Sequence, residues 1–391
     1  MKLTSDNCEK LLLDNILPFW MNRMIDYEFK GFYGRVNGKN QLIAEAPKAA
    51  ILNTRILWSF AAVYNHYGDQ QYKILATRAF DYLRNYLMDD EFGGVFWLLD
   101  HKGEPMETKK QVYAQAFAIY ALSEFYQSTQ NRTAMELARS IYELIENHSF
   151  DSNKNGYLEA FNRTWGFLPD QRLSEKDANE AKTMNTHLHV LEAYTRLFQI
   201  WPDAELANKL ENLIELFLQR FINEHGYFNL FFDEEWNVRS QTQSFGHDIE
   251  GGWLLLRAAE VLGYPELIIS CQEAAITLTE AALKGMDQDG GLMYEGDKSQ
   301  VTNREKHWWP QAEALVGLVN AYQLSGEKQY LELAQQNWNF ILDNLVDPQG
   351  EWHWMVNSNG MVDYKEDKAG PWKAPYHNTR AMLELMARLK S

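Results

Sequence analysis

Residues 29–34 read FKGFYG, and this turn, a glycine followed closely by aromatic residues, returns five more times along the chain. The later copies are EFGGVFW at 91–97, KNGYLEAF at 154–161, EHGYFNLF at 224–231, QDGGLMYEG at 288–296 and PQGEWHW at 348–354. Consecutive copies lie 60 to 70 residues apart, which is long enough for two helices and a short hairpin. A unit of this size, present six times, predicts six helix pairs.

The stretches between the turns have apolar residues at helical spacing, and two kinds of helix alternate. Residues 49–67 are apolar on nearly all sides, which predicts a helix buried in an inner ring. Residues 70–87 place apolar side chains on one face and charged ones opposite, as an outer helix does. The alternation ends with an inner helix at 375–389, while residues 5–24 form the first outer one. We predict an all-α fold, an (α/α)6 barrel or toroid of six helix pairs, with short β-hairpins at one mouth.

The repeat runs from about residue 30 to beyond residue 350 without a break in composition. We therefore expect residues 1–391 to form one single (α/α)6-barrel catalytic domain. An open solenoid that serves as a binding scaffold has the same periodicity and remains an alternative. Two longer polar insertions, at 161–180 and 354–374, contain tryptophan and precede inner helices, which favours lids over the mouth.

The composition narrows the class of function. The formal net charge is −17 and no block of Lys and Arg occurs, so the field of the protein repels a phosphate backbone or an anionic membrane. We expect no nucleic-acid partner and no membrane partner. Cys8 and Cys271 lie far apart without metal-ligand spacing, which favours free thiols in a reducing compartment. No run of eighteen apolar residues occurs, and we predict a cytoplasmic protein whose oligomeric state stays open.

Polar side chains gather where the predicted inner helices begin. The set comprises Arg55, Tyr113, Asn185, His187, His189, His247, Glu250, His307 and His377. A buried helix normally begins with apolar or capping residues, so polar groups that converge from the repeats indicate a pocket at the mouth of the ring. Ordinary helix capping is the competing interpretation.

His247 heads one predicted inner helix, and Glu250 follows three residues later on the same face. We expect Glu250 to hold one imidazole nitrogen while the other faces the pocket. A helix N-terminus lowers a histidine pKa and a carboxylate raises it, so the pKa of His247 should stay near neutrality. In the alternative, this is an ordinary helix start that Asp248 caps.

His377 opens the last inner helix, two repeats round the ring from His247. The two imidazoles should then lie on different sides of the cavity, with space for a planar group between them. Two bases that flank a plane can move a proton from one face to the other. A hydrogen-bonded core histidine is the alternative interpretation of His377.

Two further cavity residues follow from helical geometry and charge. His187 and His189 lie two positions apart, so only one of them can face the pocket. We expect it to be His189, one turn beyond Asn185. Arg55 is a permanent cation with a planar fork of donors, which suits an oxygen that gains negative charge.

The 13 Trp of the chain exceed what core packing usually requires. Trp308, Trp309 and Trp372 offer flat apolar faces beside polar groups, a common way to hold a sugar ring, although such tryptophans also serve in cores. The chain has no HxxEH, HExxH or clustered-Asp motif, no GxSxG motif and no Cys-His pairing. We expect no metal site, no cofactor and no covalent nucleophile.

Four motifs resemble those of the N-acylglucosamine 2-epimerase superfamily, and most closely its cellobiose 2-epimerase branch. They are NTHLHVLEAY at 185–194, SFGHDIEGGW at 244–253, HWWPQAEA at 307–314 and APYHNTR at 374–380. The resemblance covers nearly the whole chain and implies an (α/α)6 barrel without metal or redox cofactor. It also implies a small-molecule sugar substrate, a disaccharide such as cellobiose or lactose, whose reducing-end glucose is inverted at C2.

The resemblance also implies roles for individual residues. His247 and His377 look like the two acid/base catalysts that exchange the C2 proton through an enediolate. His189 looks like the residue that assists ring opening and positioning, and Arg55 like the one that stabilises the intermediate. Pocket positions match at Tyr113, Asn185, Glu250, Trp309 and Trp372, and the loop used near the substrate contains Ser174 and Asp177.

Three other functions remain open at this point. A mannose isomerase or a monosaccharide 2-epimerase shares the barrel and the histidine pair. A glycoside hydrolase on the same type of barrel would need two opposed carboxylates, such as Glu250 and Asp177. A sugar-binding toroid without catalysis would need neither.

Overall fold

The computed structural model describes residues 1–390 of the chain and is mostly helical. Its α-helices are α1 (Ser5–Leu11), α2 (Leu17–Arg23), α3 (Ala50–Tyr67), α4 (Gln70–Tyr82), α5 (Val112–Thr129), α6 (Arg132–His148), α7 (Met184–Ile200), α8 (Ala204–Leu216), α9 (Phe245–Leu262), α10 (Pro265–Leu283), α11 (Trp308–Ser325), α12 (Lys328–Phe340) and α13 (Tyr376–Arg388). A π-helical turn, Leu12–Ile16, joins α1 to α2, so these two act as one outer helix. Similar π turns follow α4, α8 and α12, at Leu83–Leu87, Phe217–Phe221 and Ile341–Leu345.

Burial separates the two rings as the apolar patterns predict. In α3 all of the first fourteen residues are buried, whereas α6 buries only one face. The inner ring comprises α3, α5, α7, α9, α11 and α13, and the outer ring the remaining helices. Each inner helix packs against the inner helices of neighbouring repeats and against the outer helix that precedes or follows it.

The six glycine turns are hairpins that connect an outer helix to the next inner helix. The glycines Gly31, Gly93, Gly156, Gly226, Gly290 and Gly350 all have positive φ angles, between 57° and 101°. An antiparallel bridge crosses every one of these turns, from Ile25 with Phe32 in the first to Val346 with Trp352 in the last. Because positive φ strains residues with a Cβ, glycine is what allows the chain to reverse here.

Short antiparallel strands join consecutive repeats at this mouth. The strands are β1 (Lys48–Ala49), β2 (Leu98–Leu99), β3 (Pro105–Glu107), β4 (Lys110–Gln111), β5 (Ala160–Phe161), β6 (Lys182–Thr183), β7 (Phe231–Phe232), β8 (Gln243–Ser244), β9 (Glu295–Gly296), β10 (Val301–Asn303), β11 (Lys306–His307) and β12 (Met355–Val356). The sheets are β1-β2-β3, β4-β5, β6-β7, β8-β9-β10 and β11-β12. In each sheet the strand before an inner helix pairs with a strand after the next hairpin, so each inner helix start has a fixed position.

The ends of the chain close the ring. Helix α13 packs against α1 and α3, and Val36 bridges to Ala369. The Nε1 of Trp20, in the first outer helix, donates to Oε2 of Glu351, in the last hairpin, over 2.6 Å. The structure therefore confirms a closed toroid and excludes the open solenoid.

Five of the six repeats bury a lysine just before the inner helix. Its ammonium pairs with a carboxylate of the hairpin. The pairs are Lys48–Asp26 at 2.6 Å, Lys110–Asp89 at 2.9 Å, Lys182–Asp151 at 2.8 Å, Lys306–Asp289 at 2.5 Å and Lys373–Glu351 at 2.8 Å. The fourth repeat is the exception, with the neutral Gln243 at this place. Its amide donates to Asp248 over 2.8 Å and to the carbonyl of Ala281 over 3.0 Å.

Two expectations from the composition, on the cysteines and on membrane-spanning helices, can be checked in residues 1–390. Cys8 and Cys271 are buried free thiols, as predicted. No helix within the described residues combines the length and the hydrophobicity that crossing a bilayer requires. Ser391, the last residue of the predicted domain, lies outside the described residues.

Candidate active site

A cavity of about 360 Å³ opens at the mouth where the inner helices begin. The structure places on its wall twelve of the residues that the sequence singled out. They are Arg55, Tyr113, Ser174, Asp177, Asn185, His189, His247, Glu250, Trp308, Trp309, Trp372 and His377. Since they come from all six inner helices and two loops, only the closed ring brings them together.

His377 is buried and carries a carboxylate on one side of its ring. Its Nδ1 lies 2.7 Å from Oε1 of Glu313 and 3.9 Å from Oε1 of Glu250. Burial, together with the charges of Arg55 and Arg380, lowers the pKa of His377 well below its usual value. The imidazole is therefore neutral in the resting protein, and Glu313 orients it through Nδ1.

His247 has a different partner from the one expected. Its Nδ1 lies 2.7 Å from the hydroxyl of Ser244, and Glu250 instead accepts a hydrogen bond of 2.6 Å from Nη2 of Arg380. The prediction that Glu250 holds His247 is therefore wrong, because a buried guanidinium attracts the carboxylate more strongly than a neutral imidazole does. The expected near-neutral pKa is also wrong, since burial lowers the pKa of His247 to about 3.

Asp248 does not cap α9. Its Oδ1 accepts from the backbone N–H of Phe228 in the hairpin over 2.9 Å, and burial raises its pKa to about 7. Gln115, His187 and Gln311 bind the hairpins of their own repeats at the same place. In these four repeats the side chain at this position joins the hairpin to the inner helix that follows it.

The choice between His187 and His189 agrees with the structure. His189 faces the cavity, and its Nδ1 lies 2.9 Å from Oε2 of Glu192. His187 points away: its Nδ1 contacts the carbonyl of Thr183 at 2.7 Å, and its Nε2 accepts from the N–H of Tyr157 over 2.8 Å. His187 thus joins the hairpin of the third repeat to its inner helix.

Arg55 is a buried guanidinium, only 3% exposed, which makes no ion pair with the carboxylates of residues 1–390. Nη2 donates to the hydroxyl of Tyr113 over 2.8 Å and Nη1 to the carbonyl of Trp372 over 3.1 Å. The ring of Phe117 lies 4.4 Å from the guanidinium carbon. A buried cation without a counter-ion is costly, so the guanidinium can interact favourably with a negatively charged group that enters the cavity.

Arg380 lies beneath the cavity floor and ties three carboxylates together. Nη2 donates to Oε1 of Glu250 over 2.6 Å and to Oε1 of Glu313 over 2.7 Å, and Nη1 donates to Glu192. Burial, followed by the charge of Glu313, raises the pKa of Glu250 to about 7. Burial would also raise the pKa of Glu192, but Arg380 and His189 outweigh it and the pKa falls to about 2.

One group in the described residues has the spacing of a metal site. Glu250, Glu313 and His377 each offer a ligand atom, and these atoms lie within 4.8 Å of one another. The Nη2 of Arg380 already donates to both carboxylates, so a guanidinium takes the place that a cation would need. The donor set therefore fits a buried hydrogen-bond network better than a metal ion.

Aromatic rings form the other walls. Trp309 contacts both imidazoles, with ring centroids 4.7 Å from His247 and 5.7 Å from His377. Trp308 packs on Trp354 at 4.7 Å, and Trp372 lies across the cavity beside Tyr113. A flat apolar wall thus runs past both candidate bases, as a sugar ring requires.

The insertion at 161–180 covers one side of the mouth. Ser174 and Asp177 form a tight turn there, with the Ser174 hydroxyl donating to Oδ2 of Asp177 over 2.7 Å. Lys176 lines the cavity as well. From the second insertion, 354–374, both Trp354 and Trp372 reach the wall.

The predicted site lacks the carboxylate of Glu313 and the guanidinium of Arg380, which lie beside the histidines. A signal for them exists in the repeat itself. Seven residues after the buried lysine, or after Gln243, the six inner helices carry Arg55, Phe117, His189, Glu250, Glu313 and Arg380. Aligning the six repeats on that lysine would have marked Glu313 and Arg380 as members of the same ring of side chains. Glu192, Tyr294 and Trp354 leave no comparable signal.

Residues 31–381 match the N-acylglucosamine 2-epimerase (GlcNAc 2-epimerase) family pattern. The chain belongs to this family. As a member of the N-acylglucosamine 2-epimerase family it is an enzyme of the isomerase class. It is 46% identical over 98% of its length to a cellobiose 2-epimerase of Bacteroides fragilis, of which the match covers 99%.

Solved structures agree with this family assignment. The cellobiose 2-epimerase of Bacillus thermoamylovorans superimposes with a TM-score of 0.92 at 36% identity, covering 98% of this chain and 99% of that one. A D-mannose isomerase superimposes with a TM-score of 0.84 at 22% identity, covering 98% and 96% of the two chains, which shows a shared fold. The (α/α)6 barrel of this epimerase-family enzyme is thus confirmed.

Proposed function

We propose that this enzyme epimerises the reducing-end glucose of β-1,4-linked disaccharides at C2, converting cellobiose to glucosyl-mannose and lactose to epilactose. The observation that carries the proposal is the pair of imidazoles, His247 and His377, which lie beside one tryptophan ring on the wall of one cavity. The 46% identity to a cellobiose 2-epimerase supports the choice of substrate.

The chemistry of the reaction explains the need for two bases. The hydrogen at C2 is acidic only beside a free aldehyde, so the sugar ring must open first. One imidazole then takes the C2 proton through Nε2, and the electron pair of the C–H bond enters an enediolate. The other imidazole must carry a proton on Nε2 at this point, taken up from solvent beforehand; it gives this proton to the opposite face of C2, where the enediolate electron pair forms the new C–H bond and the centre is inverted. The reaction therefore needs one neutral and one protonated imidazole at a time; the lowered pKa of each ring favours the neutral form that accepts the C2 proton, and the ring left protonated after the step returns its proton to solvent.

The negative charge that develops on the enediolate oxygens is the main energetic cost of this reaction. Arg55 supplies the charge that opposes it, since its guanidinium is buried and lacks a carboxylate partner. In our proposal the hydroxyl of Tyr113 holds the guanidinium in place, and burial raises the pKa of that hydroxyl to about 12, so it stays protonated. Preorganised charge in a site shielded from water is usually the largest contribution to such catalysis.

The remaining groups bind and open the sugar. We assign ring opening to His189, which Glu192 orients as Glu313 orients His377. Asn185 and Glu250 offer hydrogen bonds to sugar hydroxyls, and the faces of Trp308, Trp309 and Trp372 offer apolar contact. Ser174 and Asp177 contact the second sugar from the loop. No step needs a metal ion or an organic cofactor, and the chain acts as one barrel domain.

Incubation of the purified enzyme with cellobiose in D₂O tests the proposal. NMR should show 4-O-glucosyl-mannose that carries deuterium at C2, because both imidazoles exchange protons with solvent between turnovers. Free mannose offered beside cellobiose should be converted more slowly, since the second sugar no longer contributes binding energy. Equal or faster conversion of mannose would favour a mannose isomerase or monosaccharide 2-epimerase, whereas release of free glucose would indicate a hydrolase.

A further inference from the structure

Ser244 holds the N-cap position of α9, but its hydroxyl does not cap the helix. Serine at this position normally accepts a hydrogen bond from a backbone N–H of the first turn. Thr183 does so at the corresponding place before α7, where it accepts from the N–H of Thr186 over 3.2 Å. The Ser244 hydroxyl instead lies 2.7 Å from Nδ1 of His247, so it forgoes a cap bond in order to hold the imidazole.

The residue before Ser244 is Gln243, which is neutral at the position where the other five repeats have a buried lysine. Four residues before His377 lies Lys373, one of the five buried lysines, whereas four residues before His247 lies Gln243. In the third repeat, where Lys182 is present, its charge lowers the pKa of the nearby His187 in addition to burial. Because Gln243 occupies this position, the start of α9 has an amide where the starts of the other inner helices have a buried ammonium.

The two candidate bases therefore have partners of opposite kinds. The carboxylate of Glu313 accepts a hydrogen bond from His377 and stabilises positive charge on that ring. The hydroxyl of Ser244 is neutral, so it orients His247 without stabilising an imidazolium. The cavity wall that His247 shares also carries these titratable groups: Arg55, Tyr113, Glu175, Lys176, Asp177, His189, Glu250, Tyr294, His307 and His377.

We propose that Ser244 is a positioning residue that fixes the tautomer and the direction of the His247 imidazole. This inference rests on the proposed epimerase function. The Nδ1–H of His247 donates to Oγ of Ser244, which leaves the lone pair of Nε2 directed at C2 of the sugar. When that lone pair takes the C2 proton, the C–H electrons enter the enediolate and the ring becomes an imidazolium. Because no carboxylate stabilises this imidazolium, it readily gives the proton back in the reverse reaction.

Three variants at one position test the inference by rate and by pH dependence. Ser244→Ala should lower kcat about tenfold on cellobiose and on its epimer, with little change in KM, since loss of a side chain that orients a functional histidine typically costs about this much. Ser244→Thr keeps the hydroxyl and should restore most of the rate. Ser244→Asp places a carboxylate at Nδ1. The apparent pKa of the acid limb in the pH profile of kcat/KM should then rise by about one pH unit or more.

A control variant separates this effect from the loss of a helix cap. Asp203 caps the outer helix α8 through the N–H groups of Glu205 and Leu206, far from the cavity. Asp203→Ala should lower Tm but leave kcat and its pH profile as in the wild type. Wild-type kcat and pH profile in both Ser244→Ala and Ser244→Asp would overturn the inference.

A spectroscopic readout keeps the inference distinct from the proposed function. In ¹⁵N NMR, with signals assigned by their loss in His247→Asn, the wild-type imidazole should be neutral from about pH 5 to 8 with its proton on Nδ1. Ser244→Ala should change that pattern, and a wild-type proton on Nε2 would contradict the proposed bond. If the wild type leaves cellobiose unchanged, the epimerase proposal fails and this measurement alone decides the role of Ser244.

Discussion

The starts of α9 and α13 occupy corresponding places in the ring but surround their histidines differently. His247 and His377 each follow the buried Lys/Gln position by four residues, and both reach the same cavity. His377 has Glu313 at Nδ1 and Lys373 nearby, whereas His247 has a serine hydroxyl and a glutamine. The repeat thus sets where an imidazole lies, and its neighbours set how strongly it holds a proton.

Removing either imidazole should have the largest effect on the enzyme. His247→Ala and His377→Ala should each lower kcat for cellobiose by about 10³-fold or more, because each removes a proton-transfer group. Deuterium exchange at C2, followed by NMR, tells which face each histidine serves. His225→Ala, at an exposed imidazole, is the matched control and should keep the wild-type rate. Similar activity in all three variants would refute the histidine pair.

Five repeats have a buried lysine before the inner helix, and the fourth has Gln243 instead. In the five repeats this lysine should stabilise the folded protein. Lys48→Gln leaves the buried carboxylate of Asp26 without its cation, which should lower the free energy of unfolding by about 3 kcal/mol. The double variant Lys48→Gln/Asp26→Asn is the control and should recover much of that loss, because it makes both partners neutral. Urea unfolding measures both variants. Equal stability of the single variant and the wild type would contradict the importance of the pair.

Glu313→Gln sharpens the comparison of the two histidines. The amide keeps the shape of the carboxylate but not its charge, so His377 loses its stabilising partner and resembles His247. We expect kcat to fall about 10- to 100-fold with KM nearly unchanged. Steady-state kinetics on cellobiose measures this, with Glu384→Gln, a partly exposed carboxylate outside the cavity, as the control. A change confined to KM would mean that Glu313 binds sugar instead.

The smallest expected effect is a change in stability at Asp248. The corresponding position of the last repeat has Asn378. Burial raises the pKa of Asp248 to about 7, so the folded protein binds its proton more tightly than the unfolded chain does. This stabilisation is complete at low pH and is lost as pH rises from about 4 through 7. Asp248→Asn should therefore gain about 1–2 kcal/mol of stability relative to the wild type between pH 4 and pH 8.

Urea unfolding at both pH values checks the effect at Asp248. The control is Asp297→Asn, at an exposed carboxylate whose pKa is lowered by its hydrogen bonds to Ser299, so its sign is opposite. If the difference between Asp248→Asn and the wild type does not change with pH, Asp248 is ionised in the folded protein and the interpretation is wrong.

Much of the site could be predicted because polar and charged side chains are exceptions in the repeated apolar pattern of the inner helices. Inner helices are mostly apolar, so Arg55, His189, His247 and His377 stand out from their surroundings. The partners of these residues could not be predicted in the same way. Glu250 was expected at His247 from helical spacing, but Arg380, 130 residues away, competes for the same carboxylate and binds it.

The sequence by itself determined the six-unit ring, the alternation of buried and half-buried helices, and the presence of polar groups at one mouth. These follow from local periodicity, positive-φ glycines and hydrophobic pattern, which act over a few residues. Only the tertiary structure decided which carboxylate meets which imidazole, and hence that Glu313 supports His377 while Ser244 supports His247. Such pairings depend on side chains from different repeats competing inside a closed, poorly hydrated barrel, where burial and charge outweigh spacing along the chain.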